Sequence, residues 1–203
     1  MPPGGVALGS LGAMPDDAMP DDDPRLTDPD PAPIVADTKD WTWVLERPCP
    51  ECGFVAADVD PAAIGSTVRS LAPRWRAALE RPDARVRPEP ATWSVVEYAA
   101  HVRDVNRIFA TRLHAMLATA DPVFANWDQD ATARADRYDL QEPAAVAAEL
   151  AVAAAAMADD FDAVRPDQLD RTGRRSNGSR FTVRTLGQYY LHDVVHHLRD
   201  IGA

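Results

Sequence analysis

Histidines cluster near the C-terminal end of the chain, where Tyr189 to Ile201 reads YYLHDVVHHLRDI. His192 and His196 lie four residues apart in a segment that reads as helix. Residues at i and i+4 share a helix face, with Cβ atoms roughly 5–6 Å apart. Two neutral imidazoles placed that way can reach one metal ion and leave its other positions for a third ligand and an exchangeable group. An earlier predicted helix offers His101, on the face it shares with Tyr98, Val105 and Ile108. That face should point inward, where a histidine needs a hydrogen bond, a charge partner or a metal. The residues alone leave two readings open: ligands of an ion, or a satisfied core histidine at His101 with partly buried histidines in the last helix. His197 would replace His196 if the helix register differed, although an i, i+5 pair lies about 140° apart around the axis. Asp193 or Asp200 could accept the second ring N–H of a ligand and fix its tautomer, so Asp193 and His197 are the expected supporting residues.

The only cysteines, Cys49 and Cys52, form a CxxC in WTWVLERPCPECGF. Such a pair can be half of a metal site, a redox couple, or two small packed residues. No second CxxC is present to complete a four-ligand zinc site, and no strand precedes the motif as a thioredoxin-like arrangement requires. Auxiliary metal binding, redox chemistry and packing all remain open for these two thiols.

The elements that must position these residues are helices. Ile64, Val68, Leu71, Trp75 and Leu79 recur at helical steps, with Pro73 expected to kink or divide the first helix. A proline-punctuated connection over 81–93 follows. Ser94 and Glu97 fit a capping box that opens a second helix running to about Leu117. A long loop containing Trp127 comes next, either covering a site or simply pinned to the bundle by its tryptophan. A third, alanine-rich helix starts near Pro143 and ends before Pro166. Thr182 can cap the last helix, which reaches Ile201. No convincing strand pair or internal repeat is legible. The expected fold is all-α, a four-helix bundle over residues 61–203, preceded by a packed CxxC-containing lead-in (41–60) and a disordered Pro/Asp-rich tail (1–40).

Composition narrows the function classes. A 46% hydrophobic content suits a globular core, and the net charge is −11, with nine aspartates in residues 1–40 against Arg25 and Lys39. That balance argues against nucleic-acid or anionic-membrane partners, which call for clustered positive charge. With no visible secretory signal and no apolar run long enough to span a bilayer, the expected location is cytoplasmic.

Trp93-Ser94-Val95-Val96-Glu97-Tyr98-Ala99-Ala100-His101, followed by His192-Asp193-Val194-Val195-His196-His197, resembles the DinB-like superfamily of four-helix metal-binding proteins. The resemblance covers about residues 60–203. It implies a metal triad of one histidine from the second helix and an HxxxH from the last, here His101, His192 and His196. It further implies a divalent metal (Zn, Ni or Fe) and a transferase acting with a low-molecular-weight thiol of the mycothiol or bacillithiol type on electrophilic small molecules. Arg103, Arg107 and Arg112 would then be candidates to recognise an anionic thiol or substrate, or ordinary surface arginines. Two alternatives stand beside this reading: a non-catalytic, metal-stabilised bundle that binds a small molecule or protein, and a metallohydrolase. The expected partners are a small-molecule thiol and an electrophile, and a homodimer is an allowed assembly.

Overall fold

Ser94 opens the helix around which the others pack. Its hydroxyl accepts the Glu97 N–H, and the Glu97 carboxylate accepts the Ser94 N–H (2.8 Å), so two orphan donors are satisfied reciprocally. Glu97 is 2% exposed, and Arg87 neutralises it through its guanidinium. In the computed structural model this helix, α2, spans Val95–Ala118. It follows α1 (Ile64–Leu79) and precedes α3 (Gln129–Ala135), α4 (Pro143–Asp162) and α5 (Val183–Asp200). The chain divides after Asp30, and the described residues, Ile34 and 39–203, belong to the second unit. The expectation for residues 1–40 therefore lies almost entirely outside the described residues.

Helices α1, α2, α4 and α5 form the bundle, with α4 packed on α1 and α2, and α5 on α2. The apolar stripe read for the first helix turns inward, with Ile64, Val68, Leu71, Trp75 and Leu79 all buried, and Leu186, Tyr190, Leu191, Val194 and Leu198 of α5 are buried as well. Pro73 does not divide α1. It sits on the exposed face, where water can satisfy the carbonyl that loses its partner. Thr182 caps α5 as expected, its hydroxyl accepting the Thr185 N–H.

The stretch before α5 departs from the expectation of no strands. Val123–Phe124 (β1), Thr172–Arg175 (β2) and Arg180–Thr182 (β3) form a small sheet in the order β1-β2-β3, with the first pair parallel and the second antiparallel. Asn177-Gly178 turns the β2–β3 hairpin, Gly178 taking φ +100°. Strands this short and arginine-rich carry no alternating pattern to read, since only Gly173 and Phe181 are buried. The lead-in, built of 3-10 turns at Trp41–Leu45 and Ala56–Asp58, packs on α5 and is tied to it where Gln188 donates to the Ala56 carbonyl (2.8 Å).

Candidate metal centre

Four donor residues occupy the last turns of α5 as two i, i+4 pairs, His192 with His196 and Asp193 with His197. Adjacent residues are rotated by about 100°, so the two pairs look in different directions. The Asp193–His197 pair faces α2. His101 Nε2 lies 3.5 Å from Asp193 Oδ1, and His197 Nε2 lies 3.6 Å from the same oxygen. His101 comes from the second turn of α2, its register set by the Ser94 cap. Trp93, the residue before the cap, packs against the His101 ring at 5.2 Å and the Tyr138 ring at 6.3 Å.

The protonation states suit a cation. Burial holds His101 below the usual histidine range, leaving a neutral ring. Burial pushes Asp193 upward, but the His101 contact and the charge of His197 prevail and bring it down to about 2, so it is ionised at neutral pH. His197 Nδ1 sits 2.8 Å from Asp200 Oδ2; loss of the Nε2 proton to make room for an ion would keep the other proton on Nδ1 and turn the Nε2 lone pair toward Asp193 and His101. Both His101 ring nitrogens and Asp193 Oδ1 are buried without a hydrogen-bond partner among the described residues. Buried polar atoms are costly unless something satisfies them. A tetrahedral ion with bonds of about 2.1 Å holds its donor atoms about 3.4 Å apart, close to the 3.5 and 3.6 Å separations of this site. His101, Asp193 and His197 therefore fit a divalent ion.

The three histidines of the expected triad do not converge. His192 and His196 turn instead toward the lead-in, where their ring nitrogens and the sulfurs of Cys49 and Cys52 lie within 4.8 Å of one another. Both cysteines are free thiols. Burial depresses both imidazoles, His192 to about 4. Asp193 and His197, expected as supporting residues, are the pair that meets His101. The readable signal for them was a second i, i+4 pair one residue out of step with the first.

Asp193 and His197 line a polar cleft of about 300 Å³ whose walls also include Trp93, Tyr98, His192 and Asp200, with His101 buried behind them. Trp127 lies parallel on the His101 ring, centroids 5.3 Å apart and planes 4° apart. Its indole N–H donates to Thr132 Oγ1 (2.8 Å), so the 119–128 loop covers the site and is also pinned. Trp41 of the lead-in packs against His192 and His196, at 5.6 and 5.0 Å. Burial pushes the Tyr98 phenol up to about 12, which keeps it a neutral donor. The three arginines stand back from the cleft. Arg103 and Arg107 are held by Asp104 and Glu149, and Arg112 is buried beside Phe109 and Phe124.

Among solved structures the fold is similar to that of YfiT from Bacillus subtilis, described as a probable metal-dependent hydrolase with an unusual four-helix bundle topology. The TM-score is 0.62 at 16% identity, over 70% of this chain and 85% of that one. No curated protein matches the chain. The family model of the DinB superfamily matches residues 66–201, a span from the first turn of α1 to the end of α5 that includes His101, Asp193 and His197. This chain belongs to the DinB superfamily.

Proposed function

We propose that the chain is a divalent-metal-dependent enzyme whose ion is held by His101, Asp193 and His197. The observation that carries this reading is that His101 Nε2 and Asp193 Oδ1 are buried without a hydrogen-bond partner among the described residues and lie 3.5 Å apart, with Asp193 and His197 lining a polar cleft. A divalent ion bound by three protein groups supplies Lewis acidity and lowers the pKa of a water or thiol at a remaining position. The protein's own contributions are distinct. Asp200 orients His197, Trp127 and Trp93 shield His101 from bulk water, and the Tyr98 hydroxyl offers a neutral donor beside the cleft.

The nucleophile we favour is water, because the third ligand is a carboxylate. Two histidines with one carboxylate make a harder donor set than three histidines, and that set suits oxygen nucleophiles. The description of the YfiT neighbour as a probable metal-dependent hydrolase agrees with this choice. The aromatic walls contributed by Trp41, Trp93 and Tyr98 support the second reading, in which a low-molecular-weight thiol of the mycothiol type attacks an electrophilic small molecule.

The test is metal content and turnover of the full chain, compared with His101→Ala and Asp193→Asn. Chromogenic ester hydrolysis reports water as the nucleophile, and conjugation of a thiol to an aryl halide reports thiol transfer. We expect ester turnover that needs metal and falls in both variants by more than the roughly 10–100-fold typical of losing a contact that merely supports a ligand. Metal-dependent thiol conjugation without hydrolysis would select the second reading. Metal binding with neither activity would leave a non-catalytic, metal-stabilised bundle.

A further inference from the structure

The CxxC and the His192–His196 pair are not used by the site just described, yet the fold brings them together from opposite ends of the unit. Cys49-Pro50-Glu51-Cys52-Gly53 forms a tight turn in which the Cys49 carbonyl accepts the Gly53 N–H (2.8 Å) and the Cys49 N–H donates to the Phe54 carbonyl (2.9 Å). Gly53 takes φ +74°, a conformation that side chains resist, and this lets the turn close with both thiols on the α5 side. From α5 come His192 and His196, one helical turn apart and 3% and 6% exposed. His192 Nε2 is buried with no hydrogen-bond partner among the described residues.

The spacing of the four donors suits a tetrahedral ion. Cys49 Sγ lies 3.7 Å from His196 Nδ1. Bonds of about 2.3 Å to sulfur and about 2.0 Å to nitrogen in a tetrahedron put such atoms about 3.5 Å apart. The other ring nitrogen of His196, Nε2, faces Glu51 at 3.5 Å and Asp200 at 3.8 Å, carboxylates that can accept its N–H and so leave the Nδ1 lone pair to ligate. Phe54, with its ring 5.4 Å from His192, and Trp41 pack around the imidazoles. Two thiolates with two imidazoles select a borderline-soft ion and disfavour magnesium or calcium.

We propose that Cys49, Cys52, His192 and His196 bind a structural zinc ion, separate from the ion at His101. It clamps the lead-in onto α5 and thereby holds the Trp41 wall of the cleft in place. Four protein donors leave no open position, so this ion holds structure and does no chemistry. The inference stands on its own donor set and does not depend on the enzyme reading.

The test uses the full chain, purified with reductant, stripped of metal and reloaded with cobalt(II) or zinc. Cobalt should produce a near-ultraviolet thiolate-to-metal charge-transfer band. The band should persist in His101→Ala and vanish in the Cys49→Ser, Cys52→Ser double variant. Zinc should slow alkylation of the two wild-type cysteines by iodoacetamide by more than an order of magnitude, and a chelator should restore the rate. The alkylation measurement needs no variant, so it decides the matter even if the double variant fails to fold. A cobalt spectrum without the thiolate band, or an alkylation rate indifferent to zinc, would overturn the proposal. So would a Cys49–Cys52 disulfide that forms with zinc present once the reductant is removed and air oxygen serves as the two-electron oxidant, which would make the pair a redox couple.

Discussion

Asp104 shows how a single side chain supports the site without touching it. Its carboxylate accepts two hydrogen bonds from Arg103 (2.9 Å each), one from Arg107 (3.0 Å) and one from the Tyr138 hydroxyl. Tyr138 packs on Trp93, and Trp93 packs on His101. Burial alone would raise the Asp104 pKa, but the hydrogen bonds from Arg103 and Tyr138, with the charges of Arg103 and Arg107, hold it below the usual carboxylate value. A depressed folded-state pKa contributes stability above the unfolded value, about 4, and that contribution is lost as pH falls through the folded value. Asp104→Asn should therefore cost about 1–3 kcal/mol at neutral pH. It should also flatten the acid side of the stability curve below about pH 4. Urea denaturation of both proteins from neutral to acid pH checks this; equal slopes on the acid side would show that Asp104 carries no pH-dependent stability.

At the scale of elements, α1 and α4 approach closely at Gly65. A methyl group there would lie 2.1 Å from Asp162 Oδ1 and 2.6 Å from the Ala158 carbonyl. Asp162 is already held by Arg69 (2.7 Å), and the carbonyl belongs to the α4 backbone, so neither gives way easily. Alanine gains about 1 kcal/mol of helix propensity over glycine, whereas overpacking costs about 1–3 kcal/mol. The clash wins, and Gly65→Ala should lower the urea midpoint; an unchanged or higher midpoint would mean that the helices separate at no cost. The four bundle helices were the legible part of this sequence, because Ile64 through Leu79 keep a helical step and Ser94 and Glu97 announce their cap; the short α3, Gln129–Ala135, lies in what read as a long loop and buries none of its residues to leave a trace. The pairing of donors was less legible. Spacing identified His192 with His196, but which pair on α5 meets α2 depends on the helix's rotation. That rotation is set by the burial of Tyr190, Leu191, Val194 and Leu198 against distant parts of the chain. The sheet left no periodic trace because its strands span two to four residues.

Taken whole, the molecule gathers four separate segments at one end: the lead-in around Trp41 and Cys49, the α2 start at Trp93 to His101, the Trp127 loop, and the last turns of α5. The opposite side of α5 and the α1–α4 contact hold the apolar core. Among the described residues no helix is long and apolar enough to cross a membrane. Stability should be unequal across this layout, since the lead-in is made of short 3-10 turns whereas the bundle buries long apolar stripes. Stripping the metal should raise amide exchange over residues 41–59 while the buried amides of α2 and α4 stay protected. Hydrogen exchange read by mass spectrometry checks this, and uniform deprotection of the chain would show that the lead-in and bundle open as one unit.

The stagger on α5 has a thermodynamic consequence. His192 and Asp193 are peptide neighbours, as are His196 and His197, so an ion at either donor set immobilises the same helical turn that the other requires. Ordering entropy spent once is not spent again, and linkage makes the benefit mutual. Occupancy of the cysteine-bearing site should tighten the His101 site several-fold, and the His101 site should return the same factor. If one metal serves both sites, a falling supply would empty them together over a narrower range than two independent sites would allow.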